Sequence, residues 1–266
     1  MIPFLHLSNL QKSFGSVPVL CGVELALFSG EIHGLMGENG AGKSTLIKIL
    51  SGNLMADSIT CTMNGESLSL VEARQSGQLE MRFIHQELNS IPHLSVAENL
   101  MLGKQLPTRA KIFVNQQKLA ELTRVALAEL GVTHIDPSQR MSQLGAGDQM
   151  LVKLGSAFVV ESGKPAAQLY VLDEPTASLM PSETEKLFAA LERLKQKGSV
   201  ILYVSHRLDE IFQITDRITV LRDGRNTLVE KTEMLKPRTV VEAMTGREIS
   251  QHYPGRSNIL SKEVLL

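Results

Sequence analysis

Residues Gly37 to Thr45 read GENGAGKST, and the segment EIHGLMG before them and STLIKIL after them settle how the stretch folds. EIHGLMG is a short apolar run with glycines, and STLIKIL carries its apolar residues at helical spacing, so the order is strand, loop, helix. The loop fits GxxxxGK[ST], with Gly37 and Gly42 at the required interval and Lys43 and Ser44 behind them. Glycines let consecutive backbone N–H groups curl around phosphate oxygens, and the helix N-terminus adds its partial positive charge. Lys43 would bridge the terminal phosphates, and the Ser44 hydroxyl would serve Mg²⁺, a hard ion that prefers oxygen ligands.

Further along, QLYVLDEP is an apolar run closed by two acids and a proline, the pattern of a buried strand that delivers carboxylates to a sheet edge. Asp173 would hold Mg²⁺ directly or through water, and Glu174 would polarise an attacking water. A helix follows, with Pro181 at its start, a capping box expected from Ser182 and Glu185, a core face of Leu187, Leu191 and Leu194, and Gly198 to end it. SVILYVSH supplies another β-branched strand, completing the strand, helix, strand crossover of a parallel sheet. The fold class is α/β. From about residue 88 to 162 the pattern changes: NQQKLAELTRVALAELGV and QMLVKLGSAFVV are helical in period with no strand expected between them, so this part is predicted to be a helical insertion. After MTGREI the chain becomes QHYPGRSNILSKEVLL, a linker-like stretch.

A chain of 266 residues, 43% hydrophobic and 21% charged, has the length and balance of a soluble globular domain with a real core. A net charge of −1 argues against a dedicated nucleic-acid binder. Cys21 and Cys61 lack CxxC spacing, so neither a disulfide nor a zinc site is expected. MIPFLHLSNLQKSF lacks a basic start and a long apolar core, and no apolar run of about 18 residues follows, so neither export nor membrane spanning is supported.

Three more residues are candidates. His206, after SVILYVS, either meets a γ-phosphate or its attacking water at the sheet's carboxyl edge, or is an ordinary histidine. Gln86 in FIHQEL either reaches Mg²⁺ or water or is a polar loop residue, and His85 and His93 beside it have no metal-ligand spacing. Phe14 in KSFG either stacks on a base or belongs to the core.

Phosphate loop, glutamine, two-glycine segment, acidic strand and histidine occur in the order of the ATP-binding cassette family, a P-loop NTPase fold with a helical subdomain, and the resemblance covers nearly the whole chain. IHQEL, SVAENLMLG, LDEPTASL, SHRLDEIF, LRDGR and MTGREI resemble in particular the ribose- and galactose-type importer ATPases, in which two cassettes usually share one polypeptide. The resemblance makes Phe14 the adenine-stacking residue and Gly37, Glu38, Asn39, Gly40, Ala41, Gly42, Lys43, Ser44 and Thr45 the Walker A loop. It makes Gln86 the Q-loop residue, Asp173 and Glu174 the Walker B pair, with Ser44, Gln86 and Asp173 around Mg²⁺, and His206 the switch histidine. Leu144, Gly145, Ala146, Gly147, Asp148 and Gln149 stand where the family signature has Leu-Ser-Gly-Gly-Gln or a variant, so Gly145 takes the place of a serine that contacts the γ-phosphate held by the opposite cassette. Loss of that hydroxyl implies a weakened clamp, costing about 1.5–3 kcal/mol less what the backbone retains. The alternative is that Gly145 only shapes the start of the helix. Two other departures, Ile59 for a usual glycine and Met180 for a frequent acid, touch no nucleotide in the family.

By resemblance, residues 1–248 form the nucleotide-binding domain, with the helical subdomain at about 88–162 touching transmembrane subunits. Residues 249–266 resemble the start of a second cassette, and the chain is expected to be a truncated or split first cassette. The implied function is ATP binding and hydrolysis for a monosaccharide importer at the cytoplasmic face of the inner membrane. Its implied partners are permease subunits, a periplasmic sugar-binding protein and a second cassette, either a homodimer copy or a separate chain. The alternative is a half-cassette that binds nucleotide with poor turnover.

Overall fold

LYVL and VILYV have no charged or amide residue because each strand is covered on both faces. In a computed structural model, described over residues 2–84, 90–109, 113–159 and 167–247, alternate residues of these strands enter two different cores. Tyr170, Leu172, Ile201 and Tyr203 pack on one side, and Leu169, Val171, Leu202 and Val204 on the other.

In chain order the elements are β1 (Leu5–Phe14), β2 (Val17–Leu27), β3 (Ile32–Met36), α1 (Lys43–Leu50), β4 (Ser58–Met63), β5 (Glu66–Ser67), α2 (Leu70–Gln75), β6 (Met81–Ile84) and α3 (Val96–Leu100). Then come β7 (Thr108–Arg109), β8 (Phe113–Val114), α4 (Gln116–Glu129), α5 (Ala146–Ser156), β9 (Leu169–Asp173), α6 (Pro181–Gln196), β10 (Val200–Val204), α7 (Leu208–Ile214), β11 (Arg217–Arg222), β12 (Arg225–Lys231) and α8 (Pro237–Thr245). The main sheet has the order β12-β11-β3-β10-β9-β6, parallel except for the β12 edge. A second, antiparallel sheet of order β2-β1-β4-β5 lies against its other face. Helix α1 buries Leu46, Ile47, Ile49 and Leu50 in the core that these two sheets share. The opposite core joins α3, α4 and α5 to α6 and the main sheet.

Ahead of the two helical segments the insertion also carries a strand pair that periodicity did not show. Chain direction reverses between α3 and α4 through the two-residue strands β7 and β8, paired Thr108↔Val114 and Arg109↔Phe113. So short a ribbon is invisible to a periodicity argument, which needs several alternations to register.

The start of α6 also differs. Met180 is the N-cap and Pro181 occupies the first turn; the carboxylate that closes the box is Glu183, accepting the Met180 N–H at 2.9 Å, and not Glu185 paired with Ser182. Proline fixes the first helical residue, which places the N-cap two residues ahead of the serine. At the far end Gly198 adopts φ 85°, and the Gly198 and Ser199 N–H groups donate to the carbonyls of Lys195 and Leu194, a Schellman closure. Residues 248–266, which include the whole of the linker-like tail, lie outside the described part.

Candidate functional site

The parallel strands β3, β9 and β10 end on one edge, and each hands its next residues to a candidate site. From β3 the chain enters Gly37–Gly42 and then α1. Gly37, Gly40 and Gly42 have φ of 154°, 86° and 106°. A Cβ on Gly37 would stand 2.4 Å from the Leu221 carbonyl oxygen, and one on Gly42 2.6 Å from a Leu20 methyl, so only glycine lets the loop lie this close to β11 and β2. Gly42 is also the N-cap of α1, with no side chain capping the helix. Lys43 folds back, its Nζ donating to the carbonyls of Gly37 at 2.7 Å and Glu38 at 3.0 Å. Burial pulls the Lys43 pKa down, while the carboxylates of Glu174 and Asp173 pull it up, so all three groups share one electrostatic neighbourhood. Ser44 is exposed in the first turn of α1.

Asp173 is the last residue of β9, and Glu174 follows in the left-handed region, φ 49°, an uncommon conformation for a glutamate. Its N–H donates to the Val204 carbonyl at 2.9 Å, which holds this turn against the end of β10. Glu174 Oε1 then lies 2.8 Å from Nδ1 of His206, just beyond β10. The contact uses Nδ1 of the ring and leaves Nε2 out of it. Most of the His206 ring is exposed, whereas four-fifths of the Glu174 side chain is covered. A cleft of about 500 Å³ above the loop is lined by Gly37, Glu38, Asn39, His206 and Met244. The larger cavity, about 600 Å³ between α1, β4 and α2, is lined by none of these side chains.

Phe14 ends β1 with half its surface exposed and the Lys12 ammonium 5.8 Å from the ring centroid. An exposed ring at a strand end suits a stacking surface better than a core. Gln86 and His85 lie outside the described residues. His93 stands at an exposed position in the loop before α3.

Leu144–Gln149 do not join this cleft. They begin α5 in the helical part, with Gly145 as N-cap and no side chain capping it. The cap comes from elsewhere: Glu183 Oε1 accepts the Gly147 N–H at 3.0 Å, while the other carboxylate oxygen binds Met180 at the start of α6. Lys186, one turn on, lies 3.7 Å from Asp148, which also meets His134 at 3.0 Å. Gln149 Nε2 donates to the Leu144 carbonyl at 3.0 Å and its Oε1 accepts from Ser90 at 3.1 Å. Sequence reasoning missed Met244 and Glu183. No local signal points to Met244, whose contact spans most of the chain, whereas an acid three residues after Met180 was a signal for Glu183.

A phosphate-type loop before α1, an acid pair at the end of β9 and a histidine after β10 define an ATPase-like site in a doubly covered parallel sheet. The chain belongs to the ABC transporter family, whose model matches residues 20–177. It is 41% identical over 263 residues to the arabinose import ATP-binding protein AraG of Rhizobium johnstonii, an alignment that covers 98% of this chain and 50% of that protein. It is 37% identical over 257 residues to the ribose import ATP-binding protein RbsA of Bacillus cereus, covering 97% and 51%. The chain thus spans about half the length of the curated relatives it matches. Among solved structures, the ADP conformation of MJ1267, an ATP-binding cassette, superposes with a TM-score of 0.76 at 24% identity, covering 93% of this chain and all of that one, a likeness in fold.

Proposed function

We propose that the chain is an ATP-binding, ATP-hydrolysing cassette of a monosaccharide importer. The observation that carries this is the Glu174–His206 pair, 2.8 Å apart and beside Lys43 at the mouth of the glycine loop. Glu174 acts as general base: its carboxylate, held by the His206 ring and by the fixed backbone turn, accepts a proton from the attacking water. Lys43 moves from the Gly37 and Glu38 carbonyls to the terminal phosphates, its charge stabilising the group in transfer. His206 Nε2 donates to the γ-phosphate or orients the water. The N–H groups of Gly40 to Thr45 cradle the phosphates, and Phe14 stacks on the adenine.

Among the described residues there is no group of three or more His, Cys, Asp or Glu able to hold a metal. The oxygens on offer, Ser44 Oγ and the Asp173 carboxylate, with Gln86 as a third, fit Mg²⁺, which keeps waters and takes its other ligands from substrate phosphates. When bound, Mg²⁺ neutralises charge on the β- and γ-phosphates.

Leu144–Gln149 belong to a separate helix start, which supports a role toward a nucleotide held by a second cassette, a homodimer copy or a separate chain. The relatives' names, arabinose import and ribose import, support a monosaccharide as cargo, with permease subunits and a sugar-binding protein as partners. No described helix is long and apolar enough to cross a membrane, and the chain acts as a peripheral subunit at the cytoplasmic face of the inner membrane. A cassette that binds without turnover is less well supported, because the catalytic pair is intact. Equilibrium binding of a fluorescent ATP analogue tests the reading: affinity should depend on Mg²⁺ and fall at least tenfold in Lys43→Ala. Binding indifferent to both would rule out the glycine loop as the nucleotide site.

A further inference from the structure

Glu210 on α7 is buried, 2% exposed, yet it is a carboxylate. An unpaired charge in such a place costs several kcal/mol, so its partners matter. They come from two places. Thr176 Oγ1, two residues after Glu174, donates within 2.8 Å of Oε1 and 2.7 Å of Oε2. From the other strand end, Tyr203 OH reaches Oε2 at 2.9 Å, Ser205 Oγ lies at 3.4 Å, and Arg207 Nη1 pairs with Oε1 at 2.7 Å. Ser205 and Arg207 are the two neighbours of His206 in the chain. Thr176, Tyr203 and Ser205 are themselves buried, so these bonds face little competition from water. Burial first and the Glu210 charge second push the Tyr203 hydroxyl pKa up, which keeps it a donor.

We propose that Glu210 is a positioning residue for the Glu174–His206 pair: one buried carboxylate ties the turn after β9 to the turn after β10 and sets the separation of base and histidine. This rests on the reading of that pair as catalytic. Glu210 touches neither nucleotide nor water in this role. It fixes where the two groups stand, and displacements of about 1 Å at a reacting centre cost up to about a hundredfold in rate.

The test compares wild type with Glu210→Gln, which keeps the shape but loses the charge, and with Thr176→Val, which cuts only the link to the Glu174 side. Turnover number, half-saturating MgATP and the ¹⁵N signals of the His206 ring are measured. The expected result for each variant is a turnover number lowered about tenfold or more with half-saturation within about twofold. The Nδ1 signal should move away from its carboxylate-bonded position. The double variant should be little worse than either single one, because both break one linkage. Wild-type turnover and an unchanged His206 signal in Thr176→Val would overturn the proposal. So would parallel loss of nucleotide binding and turnover, which marks a merely structural group. A wild type that binds MgATP but releases no phosphate would sink the hydrolytic reading instead, and the His206 signal alone then decides Glu210.

Discussion

Glu174 is held in a left-handed turn by its own N–H bond to Val204 and by His206, a conformation that costs of order 1–3 kcal/mol and persists because the surroundings over-determine it. The strain sits at the residue proposed as the base. Gly37→Ala should break the loop, since a Cβ there meets backbone oxygen at 2.4 Å; thermal melts and MgATP binding should both worsen, and an unchanged protein would refute the close approach. His33 makes a different residue-scale prediction. It is fully buried on β3, with Nε2 2.8 Å from Thr219 Oγ1, and burial, then the Arg217 charge, lower its pKa from 6.5 to about 3. Below about pH 6.5 the unfolded chain takes up a proton that the folded chain refuses, so stability falls as pH drops from 6.5 toward 3, by on the order of 5 kcal/mol over the full window. Denaturant titrations at about pH 7 and about pH 5 should show it, and His33→Leu should flatten the dependence; an equal slope in both proteins would contradict it.

At the scale of elements, α5 is capped by a carboxylate of α6 because its own N-cap, Gly145, has no side chain. A Cβ on Gly147 would meet Glu183 carbons at 2.5–2.8 Å, so the two helix starts are in direct contact there. Restoring the hydroxyl by Gly145→Ser changes stability by less than about 1 kcal/mol, since glycine is only a few tenths worse than serine as an N-cap. The new Cβ meets Glu183 Oε1 at 3.1 Å, which a carboxylate end can relieve by turning. If α5 faces a phosphate, turnover should nonetheless rise several-fold; unchanged turnover would mean that Gly145 only shapes the helix start. The strands β3, β9 and β10 and the helix α6 were legible because their signals are local: continuous apolar runs, a glycine loop, a proline and a closing glycine. The ribbon β7–β8 and the α6 box were not, since the first is too short to show a period and the second turned on which of two acids the proline left in register. Glu210 and Met244 join elements far apart in sequence, and no local pattern announces such contacts.

At the scale of the whole molecule, the main sheet carries two cores, one shared with the antiparallel sheet and α1, the other with the helical part. The glycine loop, Glu174 and His206 converge on one edge of that sheet, while the α5 start lies in the other part, outside the cleft. Such a division suits a cassette whose second phosphate-binding element serves a neighbour's nucleotide. Order and spacing of the motifs made the site readable before its geometry, because the topology of a parallel sheet brings successive strand ends together. The most direct measurement is phosphate release from MgATP by the wild-type chain beside Glu174→Gln, with nucleotide binding measured on both. Release by the wild type, reduced about 10²–10⁴-fold in the variant at equal MgATP affinity, is the predicted result. Equal release by the two proteins would contradict a catalytic role for Glu174.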